Sequence, residues 1–71
     1  MRIASSAIYA IDYEIGGQRL HVTFMSGERY VYADVPGEVC LAFLQAESKG
    51  RFFQAEIRDR YACERLGRIG V

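Results

Sequence analysis

Between Ala7 and Ala33 the chain alternates apolar and polar residues, and two glycine-bearing turns cut that alternation into three strand-length pieces. A period of two interrupted by glycine specifies antiparallel strands joined by tight reversals. In the first piece, residues 8–15, Tyr9, Ile11, Tyr13 and Ile15 share one face, while Ala10, Asp12 and Glu14 share the other. Gly16-Gly17 follows and suits a two-residue type I′ hairpin, whose two central positions both need positive φ. That turn sets Ile15 opposite Gln18, Tyr13 opposite Leu20, Ile11 opposite Val22 and Tyr9 opposite Phe24, so the apolar faces coincide. Met25-Ser26-Gly27 reads as a three-residue loop closed by Gly27 in a left-handed bulge. Phe24 then faces Glu28, Val22 faces Tyr30, and Leu20 faces Tyr32. A two-residue Ser26-Gly27 loop would shift the register by one and set both tyrosines beside His21 and Thr23. The longer loop keeps one face consistently apolar and is preferred.

The spacing changes after strand three, which ends near Asp34. Val35-Pro36 breaks the strand, and Pro36 suits the first turn of a helix, where its missing N–H is no loss. Val39, Cys40, Phe43, Leu44 and Ala46 recur at helical spacing, with Glu38 and Gln45 outside. Lys49 followed by Gly50 reads as a helix stop, a cation at the negative end and then a glycine. A second helix is expected over 52–66, with Phe53, Ile57 and Tyr61 in register, after which Gly67 and Gly70 let the tail fray. The whole of 1–71 is thus expected to form one α+β domain, a three-stranded antiparallel meander with two helices packed on its apolar face. A composition that is 51% hydrophobic and 25% charged excludes a disordered chain. A domain this short hides only about 60% of its unfolded surface, so its stability is marginal unless it pairs with a copy of itself. No apolar run approaches the roughly 20 residues of a membrane span. The opening Met1-Arg2-Ile3-Ala4-Ser5-Ser6 has no apolar stretch behind its basic residue. Neither a membrane partner nor a secretory signal is expected, and the location expected is cytoplasmic.

The residues that carry chemistry are few. His21 is the sole histidine and points away from the core, among Arg19, Thr23 and Asp12. Cys40 and Cys63 are too few for a disulfide scaffold and are expected to be reduced, packed and at least half-buried on helices across the sheet. A cysteine nucleophile needs an imidazole within hydrogen-bond reach, which this arrangement denies it. A metal site needs three or four clustered ligands, and Gly16-Gly17 lacks the helix and lysine of a phosphate loop. Asp12 and Glu14 read as carboxylates on a solvated face. No catalytic residue, metal or cofactor is therefore expected. Tyr9, Tyr13, Tyr30 and Tyr32 all fall on edge strands of a three-stranded meander. They read either as rings at the rim of the core or, with Tyr30 and Tyr32 foremost, as a platform on which RNA bases stack. The nine Lys and Arg balance the nine Asp and Glu, yet their placement is uneven. Residues 1–48 hold three cations against six carboxylates, and residues 49–71 hold six against three. In the second helix Glu56–Arg60 and Glu64–Arg68 are neutralising pairs four residues apart. Arg58 and Arg65 have no such partner and share a heptad spacing. With Lys49 and Arg51 they make either a basic stripe or a plain solvated helix face.

Ser5-Ser6, Ile8, Ile11 and Tyr13, then Leu20-x-Val22-x-Phe24, Gly27, Tyr30-x-Tyr32, Val35-Pro36, Ala46-x-Ser48-x-Gly50, Phe53, Ile57 and Tyr61 together resemble the KTSC domain. The name refers to the C-terminal domain of some lysyl-tRNA synthetases. The resemblance covers nearly the whole chain, as in stand-alone bacterial members. Glu14 stands where Asp is common in the family, and Cys40 where an aromatic residue is common. Kinship with a synthetase appendage implies RNA binding. The function expected is accordingly a small non-catalytic module that holds RNA, either tRNA or a single strand, through phosphate contacts from Lys49, Arg51, Arg58 and Arg65. The alternative is a protein-interaction or homodimerisation module without nucleic-acid binding. It would use an exposed sheet edge or the uncovered face bearing Ile8, Ala10 and Val31. A small enzyme is the third reading. A contiguous positive patch marks the first reading, an apolar patch of several hundred Å² the second, and a pocket with convergent polar groups the third.

Overall fold

Alternation and glycine placement produce the sheet, which a computed structural model describes within residues 7–68. Strands β1 (Ile8–Glu14), β2 (Arg19–Phe24) and β3 (Glu28–Tyr32) form the meander. Helices α1 (Gly37–Gln45) and α2 (Lys49–Phe52) follow, α2 running on into a π-helical turn over Phe53–Ile57. A fourth strand, β4 (Cys63–Arg68), then returns to pair with β3, and the sheet order is β1-β2-β3-β4, antiparallel throughout. The α+β class and the helical cover stand, whereas the sheet has four strands among the described residues and not three. No helix of the described residues is long and apolar enough to cross a membrane.

The pairing registers follow the glycine turns. Leu20 faces Tyr32 and Val22 faces Tyr30, and the Gly27 amide donates to the Phe24 carbonyl at 2.8 Å. Gly27 has φ 94°, which closes the three-residue loop as its sequence implies. The first hairpin keeps the register Tyr13↔Leu20 and Ile11↔Val22 but not the turn type. Its last pair is Glu14↔Arg19, so four residues make the loop, and the left-handed one is Gln18 at φ 51° instead of the two glycines. A second departure lies at the far end of β1. A bulge between Ile8 and Ala10 pairs Ile8, not Tyr9, with Phe24. One residue of slip exchanges faces. Ile8 is therefore fully buried in the core, Tyr9 is 41% exposed, and Ile15, beyond the last pair, is 81% exposed.

The cover begins as the apolar spacing demands. Pro36, in extended geometry at the N-cap and not within the first helical turn, accepts from the amides of Val39 and Cys40. The Tyr13 hydroxyl donates to the Val35 carbonyl at 2.6 Å, and the Val35 amide donates to the Gln18 carbonyl at 2.9 Å. The chain entering α1 is thereby tied to the first hairpin. Cys40 and Phe43 carry α1 onto the sheet, and Phe43 stacks on Phe52 with ring centroids 5.4 Å apart.

The second helix is where sequence and structure part. Lys49-Gly50 opens α2 and does not stop α1, which has already ended at Gln45. Ser48 caps α2 by accepting from the Arg51 amide. The helical path then ends at Ile57 and not at residue 66. The Arg58 amide donates to the Phe53 carbonyl at 2.8 Å, a five-residue step, and Arg58 itself turns extended. Asp59 takes φ 64°, a left-handed position that aspartate tolerates. The Ala33 amide donates to the Ala62 carbonyl, and β4 zips onto β3. Glu64 and Arg68 are strand residues in consequence, and the four-residue charge pairs Glu56–Arg60 and Glu64–Arg68 do not share a helix face.

Candidate functional site

The arrival of β4 makes β3 an interior strand and creates a cleft on the helical side of the sheet. Its volume is about 390 Å³, and its lining comes from three segments. Phe24 ends β2; Glu28, Tyr30 and Tyr32 alternate along β3; Phe53, Arg58, Asp59 and Cys63 come from the π turn, its exit and the start of β4. The alternation of β3 sends its residues 28, 30 and 32 to one face. The wide turn at 53–57 lays Phe53 across their ends. Phe53 meets Phe24 and Tyr32 edge to face, at 5.2 Å and 5.6 Å, and Phe24 meets Tyr30 likewise at 5.7 Å. Tyr32 and Phe53 are buried and floor the cleft, Phe24 and Tyr30 are half-buried and form its walls, and Arg58, Asp59 and Cys63 are exposed at the rim.

Charge at the cleft is mixed. An Arg58 guanidinium nitrogen donates to Gln54 Oε1 at 2.9 Å, a step of four residues that holds the arginine over the π turn. Arg65, cross-strand from Tyr30, makes an ion pair with Glu28 at 3.1 Å. Burial pushes the Tyr32 phenol up to about 12, with Cys63 and Asp59 reinforcing the rise and Arg58 opposing it. The Tyr32 hydroxyl thus senses both Arg58 and Asp59. A donor and an acceptor from adjacent residues stand beside a wall of rings.

The four cations do not share one helix face. Arg58 lies past the end of the helical path, Arg65 lies on β4 and is occupied by Glu28, and Lys49 and Arg51 lie on α2 and do not line the cleft. Lys49 Nζ donates instead to the Ala46 carbonyl. Of the four cations named from sequence, the cleft holds Arg58 and has Arg65 beside it. Of the two tyrosines, Tyr30 presents a partly open ring, whereas Tyr32 is only 4% exposed and belongs to the core. Neither occupies an edge strand.

The cysteines separate. Cys40 is buried under α1, where burial raises its thiol pKa, while Cys63 is exposed on β4 and not packed on a helix. Cys63 pairs with Tyr32 and so faces the cleft. His21 lies on the opposite face of the sheet, with Nε2 at 2.5 Å from Glu14 Oε2 and Arg19 at 3.6 Å from the same carboxylate. The His21 hydrogen bond foremost, and then Arg19, hold the Glu14 carboxyl below the usual range. Glu14 is the partner of His21 and not a bare solvated carboxylate. The face once read as apolar through Ile8, Ala10 and Val31 loses Ile8 to the core. Exposed aliphatic groups gather elsewhere, in a groove of about 450 Å³ lined by Tyr13, Ile15, Cys40, Leu41 and Leu44 among others.

Glu28, Asp59 and Cys63 joined the site through β4, which the four-residue rhythm of Phe53, Ile57 and Tyr61 concealed. Two signals were present. Tyr30-Val31-Tyr32 is apolar on both faces, as suits an interior strand. Arg58-Asp59-Arg60 places a turn-forming aspartate where a helix interior was read.

Fold and cleft together define a class, the small α+β domain in which helices roof one face of a four-stranded antiparallel meander and leave an aromatic cleft at its β3–β4 side. The chain belongs to the KTSC domain family, whose model matches residues 4–61. It is 41% identical over 64 residues to a protein of Tsukamurella paurometabola, covering 90% of this chain and 96% of the other. It is 37% identical over 59 residues to an uncharacterised protein of Stutzerimonas stutzeri, covering 83% of each. The crystal structure of a KTSC domain protein from Yersinia pestis superposes with a TM-score of 0.92 at 33% identity, over 94% of both chains.

Proposed function

We propose that this domain is a non-catalytic module that binds single-stranded RNA by seating one base in the aromatic cleft, with Arg58 at the adjoining phosphate. The observation that carries the reading is the convergence of the Tyr30 and Phe24 rings with Arg58, contributed by segments 28 residues apart at Tyr30 and Arg58. A base stacked on an aromatic side chain gains roughly 1–3 kcal/mol irrespective of its identity, and an arginine at the rim supplies the phosphate contact. The resemblance to a tRNA synthetase appendage supports the same ligand class. His21 Nε2 is engaged by Glu14 and not by a cysteine, which supports the absence of catalysis.

The dispersal of the basic residues lowers the electrostatic share. Four phosphate contacts on one stripe would give a salt slope near −3, whereas one or two at the cleft give about −0.7 to −1.4. The test is an NMR titration with a short mixed-sequence single strand and with tRNA at about 50 mM salt, where this contribution is strongest. Shifts are expected at Tyr30, Phe24 and Arg58, with Arg58→Gln and Tyr30→Leu each weakening binding while the far-UV spectrum stays unaltered. No shifts under those conditions would reject RNA as the ligand. The rival reading, self-association, has Ile15 and Leu41 in its favour. Tyr9, Met25 and Leu66 are exposed as well, but none of them lines the groove of Ile15 and Leu41, and two side chains there fall far short of the ~800 Å² per partner of a standard interface. A sedimentation profile independent of concentration is the expected outcome.

A further inference from the structure

We infer that the base this cleft selects is guanine, read by the Asp59 carboxylate with Arg58 beside it. The inference rests on the RNA reading above and adds sequence choice to a site otherwise indifferent to sequence. Two carboxylates reach the cleft, and they differ. Glu28 is consumed by its 3.1 Å ion pair with Arg65. Asp59 has no hydrogen bond or ion pair among the described residues, although it lines the cleft beside the Tyr32 hydroxyl. Its backbone is held by the turn, with φ 64° and the Arg60 amide donating to the Ile57 carbonyl at 3.1 Å.

An ionised carboxylate only accepts hydrogen bonds. Among the four RNA bases, guanine presents two adjacent donors, N1–H and the N2 amino group, which a carboxylate engages with both oxygens. Adenine and cytosine each place a ring acceptor beside their single amino group, and uracil flanks its one N–H with two carbonyls. Each of these sets an acceptor against Asp59 and leaves a lone pair opposed to a charge. Arg58 stays with the adjoining phosphate. After its bond to Gln54 the guanidinium keeps further N–H groups for that contact. The Asp59 carboxylate alone therefore reads the donor edge of guanine. The same free carboxylate repels phosphate, so it favours a base at that position over the backbone.

The test compares four heptaribonucleotides, UUUGUUU, UUUAUUU, UUUCUUU and heptauridylate, by calorimetry and amide chemical shifts. The guanine strand is expected to bind roughly tenfold more tightly than the others, the worth of one good bidentate pair. Asp59→Asn suits the left-handed backbone and so preserves the turn. It exchanges one acceptor oxygen for a donor, and is expected to abolish the preference by lowering affinity for the guanine strand, while heptauridylate, relieved of the opposed charge, binds at least as tightly as to the wild type. Equal affinities for the wild type, a preference for another base, or a guanine preference that survives in Asp59→Asn each overturns the base assignment and leaves the RNA reading standing. Failure of all four strands to bind at about 50 mM salt overturns both.

Discussion

Phe52 and Phe53 are neighbours in sequence and opposites in energetic weight, which makes truncating each a direct measure of the packing. Phe53 is 6% exposed and meets the rings of Phe24, Tyr32 and Phe43, so three elements lean on one side chain. Phe52 is half-buried and has one ring partner, Phe43. Truncating a fully buried phenylalanine to alanine costs about 3–5 kcal/mol. A domain of 71 residues at 0.05–0.15 kcal/mol per residue has a total stability of roughly 4–10 kcal/mol. Phe53→Ala therefore removes about a third of the stability at the least and all of it at the worst. Phe52→Ala, which gives up a partly exposed ring and one stack, is expected to cost about 1–2 kcal/mol. Urea unfolding followed by far-UV circular dichroism measures both, since the chain has no tryptophan to report. Should Phe53→Ala fail to fold, Phe53→Leu keeps most of the buried area, loses the edge-to-face pairs, and is expected to cost about 1–2 kcal/mol. A loss at Phe52 equal to or larger than that at Phe53, or a Phe53→Ala cost below about 1 kcal/mol, would refute the packing described.

Gly27→Val places a β-branched residue at φ 94° and is expected to cost about 1–3 kcal/mol, visible as a lower melting temperature; an unchanged one would reject the bulged loop. The Tyr32 phenol is held neutral in the folded state, so its contribution is complete below pH ~10, the unfolded value, and is lost as pH rises towards about 12. Melting temperature is expected to fall across that interval and to fall less in Tyr32→Phe; identical profiles for the two proteins would contradict the burial of that hydroxyl.

Legibility followed the range of the interactions. The registers Val22↔Tyr30 and Leu20↔Tyr32 and the left-handed Gly27 depend on residues within a few positions of one another, and local pattern predicted them. The role of Gln18 in the first turn was hidden because two glycines admit more than one loop, and the bulge at Tyr9 because no glycine marks it. Lys49-Gly50 misled because a cation before glycine marks a helix end only when the preceding turns are still helical, and α1 had closed at Gln45. The site was half visible. Tyr30 was placed on its strand but as an edge residue, and Arg58 was placed inside a helix that ends at Ile57, while Asp59 and Cys63 acquire their place through a strand pairing 31 residues distant, which spacing along the chain does not encode.

β4 has one further property with kinetic weight. From Cys63 to Leu66 its side chains are all exposed, so the strand is held by its backbone ladder to β3 and by the Glu28–Arg65 contact, with no apolar anchor of its own. The three strands of the meander can condense through short hairpins, but docking β4 closes a loop of some 30 residues, at an entropic cost that scales as 3/2 RT ln n. It is accordingly expected to be the last element to anneal and the first to exchange its amide hydrogens, at less than the global unfolding free energy. The rim of the cleft at Cys63 is thus expected to carry some of the least protected amides of the sheet, which native-state hydrogen exchange measures.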